Sequence, residues 1–295
     1  MVAKRICVLT GSRAEYGILR PILIEIQKHP KLKLLLMVGG MHLSREFGNT
    51  ISEVKSDGFK ITYTLNMHPV EDKSEAMALA VARGITGTVQ AFRKIRPDIT
   101  LVLGDRIEPL AVALASAYLN IPIAHIHGGD MSMGGLDESA RHAITKLSHI
   151  HFTATKNSMR RVLRMGENSK YVFMTGSPAI DGLKSASLFS KTELQSSLKA
   201  DLSSPYLMVL QHPVTTQTSL AGRQMHATLS AIKELKATSI LIYPNSDAGG
   251  RQIIKVIETY RRYPFFYILK SLPRPVYLSL IKYASALVGN SSSGM

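Results

Sequence analysis

Hydrophobic and polar positions vary along this chain on two length scales. Short apolar runs of strand length recur: "RICVLTG", "KLLLMVGG", "KITYTL", "DITLVLGD", "IPIAHIHGG", "HFTAT" and "YVFMTG", then "YLMVLQH", "SILIYPN", "FFYILKS" and "ASALVGN". Most are continuous and rich in Ile, Val and Leu, as strands covered on both faces are. Between them lie amphipathic stretches of helix length, such as "AEYGILRPILIEIQKH" and "EPLAVALASAYLN". This βαβ rhythm predicts parallel sheets. It breaks in "TGSPAIDGLKSASLFSKTELQSSLKADLSSP", which is rich in Ser, with Gly and Pro, and lacks a strand, and it restarts at "YLMVLQHP". The expected fold is α/β, with two Rossmann-like doubly wound domains facing a cleft. Residues 1–177 form the N-terminal domain with seven strand candidates; residues 178–295 form a second, incomplete one with four.

Composition narrows the function classes. A chain of 295 residues accommodates two ordinary domains. A net charge of +15 suits nucleic acid, anionic lipid or an anionic small substrate. The Lys and Arg residues are scattered and not interleaved with aromatics, which disfavours nucleic acid. One Cys excludes an internal disulfide and a Cys-rich zinc site, and Cys7 lies in an apolar run as a core thiol does. "MVAKRICVLTGSR" has no long apolar region of the signal-peptide kind, and "LAVALASAYL" is too short to span a bilayer. We expect a cytoplasmic protein with no membrane partner.

In open α/β sheets ligands bind beyond the carboxyl ends of the strands. Those ends read "TGSRAEYG", "GGMHL", "GDRIEPLA", "HIHGGD", "QHPVTT", "PNSDAGG" and "GNSSSG". Arg13 is open to two readings, an exposed first-turn residue or an anion contact, because Arg opposes the helix dipole. Asp105 is either a helix N-cap or a carboxylate base beside the phosphate-binding guanidinium of Arg106. His125 and His127 share a strand face, a zinc-like spacing without further ligand motifs, so no metal is expected. His125 reads as structural and His127 as the functional candidate. Asp137 and Arg141 in "LDESARHAITKL" are either a solvated helix face or site residues. His212 before Pro213 suits a phosphate contact or an acid/base role. "GNSSSG" offers the hydroxyls of Ser291 and Ser292 to a diphosphate. The G-x-G-x-x-G motif of dinucleotide sites is absent.

In order along the chain, "GSRAEYGILRPIL", "GMHLSREFGNT", "LVLGDRIEPLA", "IAHIHGGD", "DESARHAITKLSHIHF", "TGSPAID", "LQHPVTT", "YPNSDAGG" and "VGNSSSG" resemble the hydrolysing UDP-N-acetylglucosamine 2-epimerases of sialic acid synthesis. The resemblance covers the whole chain. It implies a glycosyltransferase-B-like double Rossmann fold, no metal or redox cofactor, and a homo-oligomer. It implies anti elimination of UDP across C1–C2 to a 2-acetamidoglucal, addition of water at C1, and return of a proton to the opposite face of C2. Carried over by motif, Arg13, Arg106, His212, Asn245, Ser291 and Ser292 hold UDP. Asp105 and Asp137 serve the acid/base chemistry, Arg141 orients or neutralises, and His42 falls on an active-site segment. Two positions depart from the pattern. His127 stands where many members have Glu, and Ser271 where they often have His. The second acid/base group stays open. So does the sugar, since relatives acting on UDP-N,N′-diacetylbacillosamine or a GDP-linked sugar share these motifs.

Members of the family continue past "GNSSSG", so the resemblance implies a C-terminally truncated member, weak in activity and marginal in stability. Two further functions stay open: a non-catalytic UDP-sugar-binding protein and a glycosyltransferase of the same fold. Release of UDP without an acceptor separates the epimerase from both.

Overall fold

The structure, a computed structural model, describes residues 3–132 and 136–291. The described residues form two compact units. The first runs up to Lys184, apart from two short segments. Its elements are β1 (Lys4–Thr10), α1 (Arg13–Lys28), β2 (Leu32–Gly39), α2 (Ile51–Ser56), β3 (Ile61–Leu65), α3 (Ser74–Ile95), β4 (Ile99–Leu103), α4 (Ile107–Tyr118), β5 (Ile123–Ile126), α5 (Asp137–Leu147), β6 (Ile150–Thr153), α6 (Lys156–Arg164), β7 (Val172–Met174) and α7 (Pro178–Lys184). The seven strands make one parallel sheet in the order β3-β2-β1-β4-β5-β6-β7. Strand order reverses between β1 and β4, the place where such sheets bind ligands.

Continuous apolar runs form these strands because both faces are covered. Cys7 and Leu9 pack on one side of the sheet with Met37 and Val102; Val8 packs on the other with Leu36, Val38 and Leu101. Helix α1 begins at Ser12, whose hydroxyl accepts from the Glu15 N–H at 3.4 Å. Tyr16, Leu19, Leu23 and Ile26 then make a stripe at helical spacing that is buried against the sheet. Each of those leucines contributes about 2 kcal/mol by leaving water. Helix α7 packs on α1 and so belongs with the first unit, although composition sets it in the second.

The second unit holds α8 (Lys191–Leu198), β8 (Leu207–Leu210), α9 (Ala221–Leu235), β9 (Ser239–Ile242), α10 (Gly250–Thr259), β10 (Phe266–Leu269), α11 (Arg274–Tyr283) and β11 (Ala286–Gly289). Its parallel sheet has the order β10-β9-β8-β11. Met208, Leu210 and Ile240 face one layer, while Val209 and Leu241 face Met225, Leu229 and Ile253 on the other. Segments Arg45–Gly48 and Val70–Ala76 also belong to this unit. Gly249 caps α10 without a side chain. Asp72 supplies the missing acceptor, taking the N–H groups of Gly249 at 2.7 Å and Gln252 at 3.1 Å. Glu46 pairs with Arg251 at 3.0 Å. All eleven strand candidates of the sequence are strands here, and the stretch without one holds α7 and α8. Among the described residues no helix is long and apolar enough to cross a membrane.

Candidate active site

In the first unit, polar side chains gather beyond the carboxyl ends of β1, β2, β4 and β5. Asp105 and Arg106 follow β4. The Asp105 carboxylate pairs with the Arg141 guanidinium on α5, joining two sequence-predicted residues. Arg141 is buried, and it also donates to the Ser132 hydroxyl at 3.3 Å. Burial, with the charge of Arg161 nearby, pulls the pKa of Arg141 below the ordinary guanidinium value. Asp137 is exposed one turn before Arg141 on the same helix, so the two lie along one face. The structure therefore takes the open choice at Arg141 away from a solvated surface.

Arg13 is neither an exposed first-turn residue nor isolated. Its Nε lies 2.6 Å from Glu53, an ion pair from α1 to α2. Burial lowers its pKa and the Glu53 charge works against that. His42 is fully buried, with Nε2 on the Thr10 hydroxyl at 3.0 Å and Nδ1 on the Thr50 hydroxyl at 2.6 Å. Burial first, then the charge of Arg13, lowers its pKa to about 4, so the ring is neutral. His125 is a buried structural residue, bonded to the Gly104 carbonyl at 2.8 Å and the Thr145 hydroxyl at 3.2 Å. His127 is part-exposed at the end of β5, 2.8 Å from Asp130 and 3.1 Å from Ser177.

Two carboxyl groups that sequence reasoning missed lie under this cluster. Glu15, in "GSRAEYG", accepts from the Gly11 N–H at 2.6 Å, and Glu108, in "GDRIEPLA", faces Arg106 at 3.4 Å. They bracket Gly11, where an added Cβ would meet the Glu108 carboxyl carbon at 2.9 Å. That close approach explains the glycine. Burial pushes the Glu15 pKa up to about 8; the Gly11 N–H opposes the shift and the charge of Glu108 adds to it. The signal for Glu15 was its place three residues after Ser12, a capping-box spacing. Nothing local marks Glu108.

The second unit gathers a separate set at the ends of β8, β9 and β11. His212 Nδ1 accepts the Asn245 N–H at 3.1 Å, so Nε2 carries the ring proton and donates to the Ser291 hydroxyl at 3.2 Å. Asn290 clasps the His212 backbone, accepting its N–H at 2.7 Å and donating to its carbonyl at 3.0 Å. The Asn245 amide donates to Asp247 at 2.6 Å. The structure thus brings His212, Asn245 and Ser291 together; Ser292 lies outside the described residues. Among the described residues no group of three His, Cys, Asp or Glu side chains is placed to hold a metal ion.

The chain is similar to known proteins. Residues 24–295 match the family model described as UDP-N-acetylglucosamine 2-epimerase. The chain is 35% identical to UDP-N,N′-diacetylbacillosamine 2-epimerase (hydrolyzing) of Legionella pneumophila, over 99% of this chain and 77% of that one. It is 35% identical to a UDP-N-acetylglucosamine 2-epimerase of Neisseria meningitidis, over 99% and 76%, and 37% identical to polysialic acid biosynthesis protein P7 of Escherichia coli, over 99% and 75%. Among solved structures, the Methanocaldococcus jannaschii UDP-GlcNAc 2-epimerase in complex with UDP-GlcNAc and UDP superposes with a TM-score of 0.80 at 18% identity, over 98% of this chain and 80% of that one. That likeness shows the shared double Rossmann, glycosyltransferase-B-like fold.

Proposed function

The chain belongs to the UDP-N-acetylglucosamine 2-epimerase family, and from that premise we propose that it is a hydrolysing 2-epimerase. It takes a UDP-linked 2-acetamido sugar and releases UDP and the C2-inverted sugar, which is N-acetylmannosamine when the substrate is UDP-N-acetylglucosamine. The observation that carries this reading is the gathering of Asp105, Arg106, Arg141 and His127 beyond β4 and β5 of one sheet. Elimination needs a base for the C2 proton and positive charge for the departing diphosphate. Asp105, oriented by Arg141, and His127 are the proton-transfer groups, with Asp137 serving from the first turn of α5. The C2–H pair forms the C1–C2 double bond as the C1–O bond breaks and its electrons leave with UDP. Water then adds its oxygen to C1, and C2 receives a proton on the other face. Arg13 and Arg106 supply positive charge for the leaving diphosphate. In the second unit, His212, Asn245 and Ser291 suit phosphate oxygens, the first through the Nε2–H that now points at Ser291. Buried His42 acts indirectly, holding Thr10 and Thr50 between the ends of β1 and α2.

The same chemistry on UDP-N,N′-diacetylbacillosamine is a second reading, supported by the equal identity to the Legionella relative. One experiment separates the possibilities. The protein is incubated in D₂O with each UDP-sugar and followed by proton NMR. Free UDP and a C2-inverted sugar deuterated at C2 are expected, without any added acceptor. UDP that is bound but never released points to a binding protein, and a requirement for an acceptor points to a glycosyltransferase; either result refutes the proposal.

A further inference from the structure

His127 sits at φ 66°. This left-handed conformation strains a residue that carries a Cβ. The turn it starts has a definite product. It brings the Asp130 carboxylate, three residues on, to Nδ1 of the same imidazole at 2.8 Å, while Nε2 faces the Ser177 hydroxyl at 3.1 Å. The loop is held in place from α6. Ser158 donates to the other oxygen of Asp130, and Arg161 donates to the Gly129 carbonyl. A Cβ at Gly129 would run into Val162 at 2.7 Å, so the loop lies directly on that helix.

The donor and acceptor inventory then decides the tautomer. An ionised carboxylate only accepts. Burial works against ionised Asp130, but hydrogen bonds from His127 and Ser158 outweigh it and hold the pKa below the ordinary carboxylate value. The hydrogen in the short contact therefore belongs to Nδ1, and in the neutral ring Nε2 keeps its lone pair and can accept from Ser177. Ser177 also takes the Ala179 N–H at 3.3 Å as the opening turn of α7 requires. This dual role makes it a cap that lends a hydroxyl, rather than a nucleophile.

We infer that Asp130 is a positioning residue: it fixes His127 as the Nδ1–H tautomer, in one ring plane, so that Nε2 is the nitrogen that takes and returns the proton. The inference rests on the reading of His127 as a proton-transfer group. When Nε2 gains a proton the ring becomes an imidazolium, and its new charge faces Asp130 directly. When the proton leaves again, Asp130 returns the ring to the same tautomer.

The test is nitrogen-15 NMR of protein labelled at histidine, with His127→Gln to assign the ring. Wild type at pH 8 is expected to show His127 protonated at Nδ1 and bare at Nε2. In Asp130→Ala the signal should move toward the Nε2–H form, with turnover falling about 10²-fold or more and KM little changed. Ser158→Ala loosens the same loop without touching the ring and should keep the wild-type tautomer. An Nε2–H ring in wild type, or no change in Asp130→Ala, overturns the inference. A change in Ser158→Ala as large as that in Asp130→Ala overturns it as well, by making loop rigidity the cause. If Asp130→Ala does not fold, the wild-type spectrum decides by itself. Failure of the proposed activity reads differently: the tautomer shifts as expected while no UDP-sugar is turned over by wild type.

Discussion

Replacing Glu15 by Gln should make the first unit less sensitive to alkali. Glu15 is 7% exposed, and its Oε1 has no hydrogen-bond partner among the described residues. Its pKa stands at about 8 in the fold against 4.5 for an ordinary glutamate. A folded state that holds the proton more tightly than the unfolded one loses stability as pH rises. The contribution is fully present below about pH 4.5, declines through the window, and is gone above about pH 8. Inside that window each step of one in pH costs the folded state about 1.4 kcal/mol, so the stretch from pH 6.5 to 8 removes roughly 2 kcal/mol from wild type. Glutamine carries no proton to lose. Its carbonyl can still accept from Gly11, and its amide presents donors to Glu108. The assay is urea unfolding of both proteins at pH 6.5 and 8.5 by far-UV circular dichroism, since the chain has no Trp to report by fluorescence. Wild type should lose about 2 kcal/mol more than Glu15→Gln between the two pH values. Equal losses would refute the assignment of a neutral, buried Glu15.

At the acid end the sign reverses: burial lowers His42 and His125 to about 4, so both enter the fold neutral, and stability should fall as pH drops from 6.5 through 4, visible as a declining urea midpoint. Asp105→Asn should cut UDP release on the order of 10²–10⁴-fold while calorimetry still shows UDP binding; near-normal turnover would remove Asp105 from the chemistry. His212→Ala breaks the contacts to Asn245 and Ser291 and should weaken UDP binding about tenfold or more, with unchanged affinity counting against the diphosphate assignment.

The fold was legible because its signal is local. Each strand of these sheets is one unbroken apolar run, and a run such as "ICVL" can serve two faces only if helices cover both. Residues of the candidate site were legible one at a time, from their places at strand ends. Their partners were not. Arg13 meets Glu53 from another helix, Asp105 meets Arg141 across two further elements, and His212 meets Asn290 at a separation of 78 residues. Such pairs are set by tertiary register, which no local spacing encodes. Glu15 and Glu108 show the limit most clearly, because a carboxyl in the first turn of a helix reads as an ordinary dipole-favoured residue. Only the packing of Glu108 around Gly11 turns the pair into a buried one. His127 is the intermediate case. Asp130 stands three residues away in "HIHGGD", yet the left-handed turn that joins them is visible only in the backbone.

The strand order has a consequence for how the protein comes into being. As the chain is synthesised, β1 and β2 can pair at once, Lys4 against Leu32. The other edge of β1 must wait, because Ile6 is matched by Ile99. Closing that loop carries the largest entropy cost among the pairings of β1. Until it closes, the sheet is half built and its open edge is β1, the strand that leads into Arg13 and Glu15. Arg106 and Asp105 arrive only in the same event. On this route Arg13, Asp105 and Arg106 are brought together with the centre of the sheet, while His127 and Arg141, which follow β4 in the chain, join them afterwards.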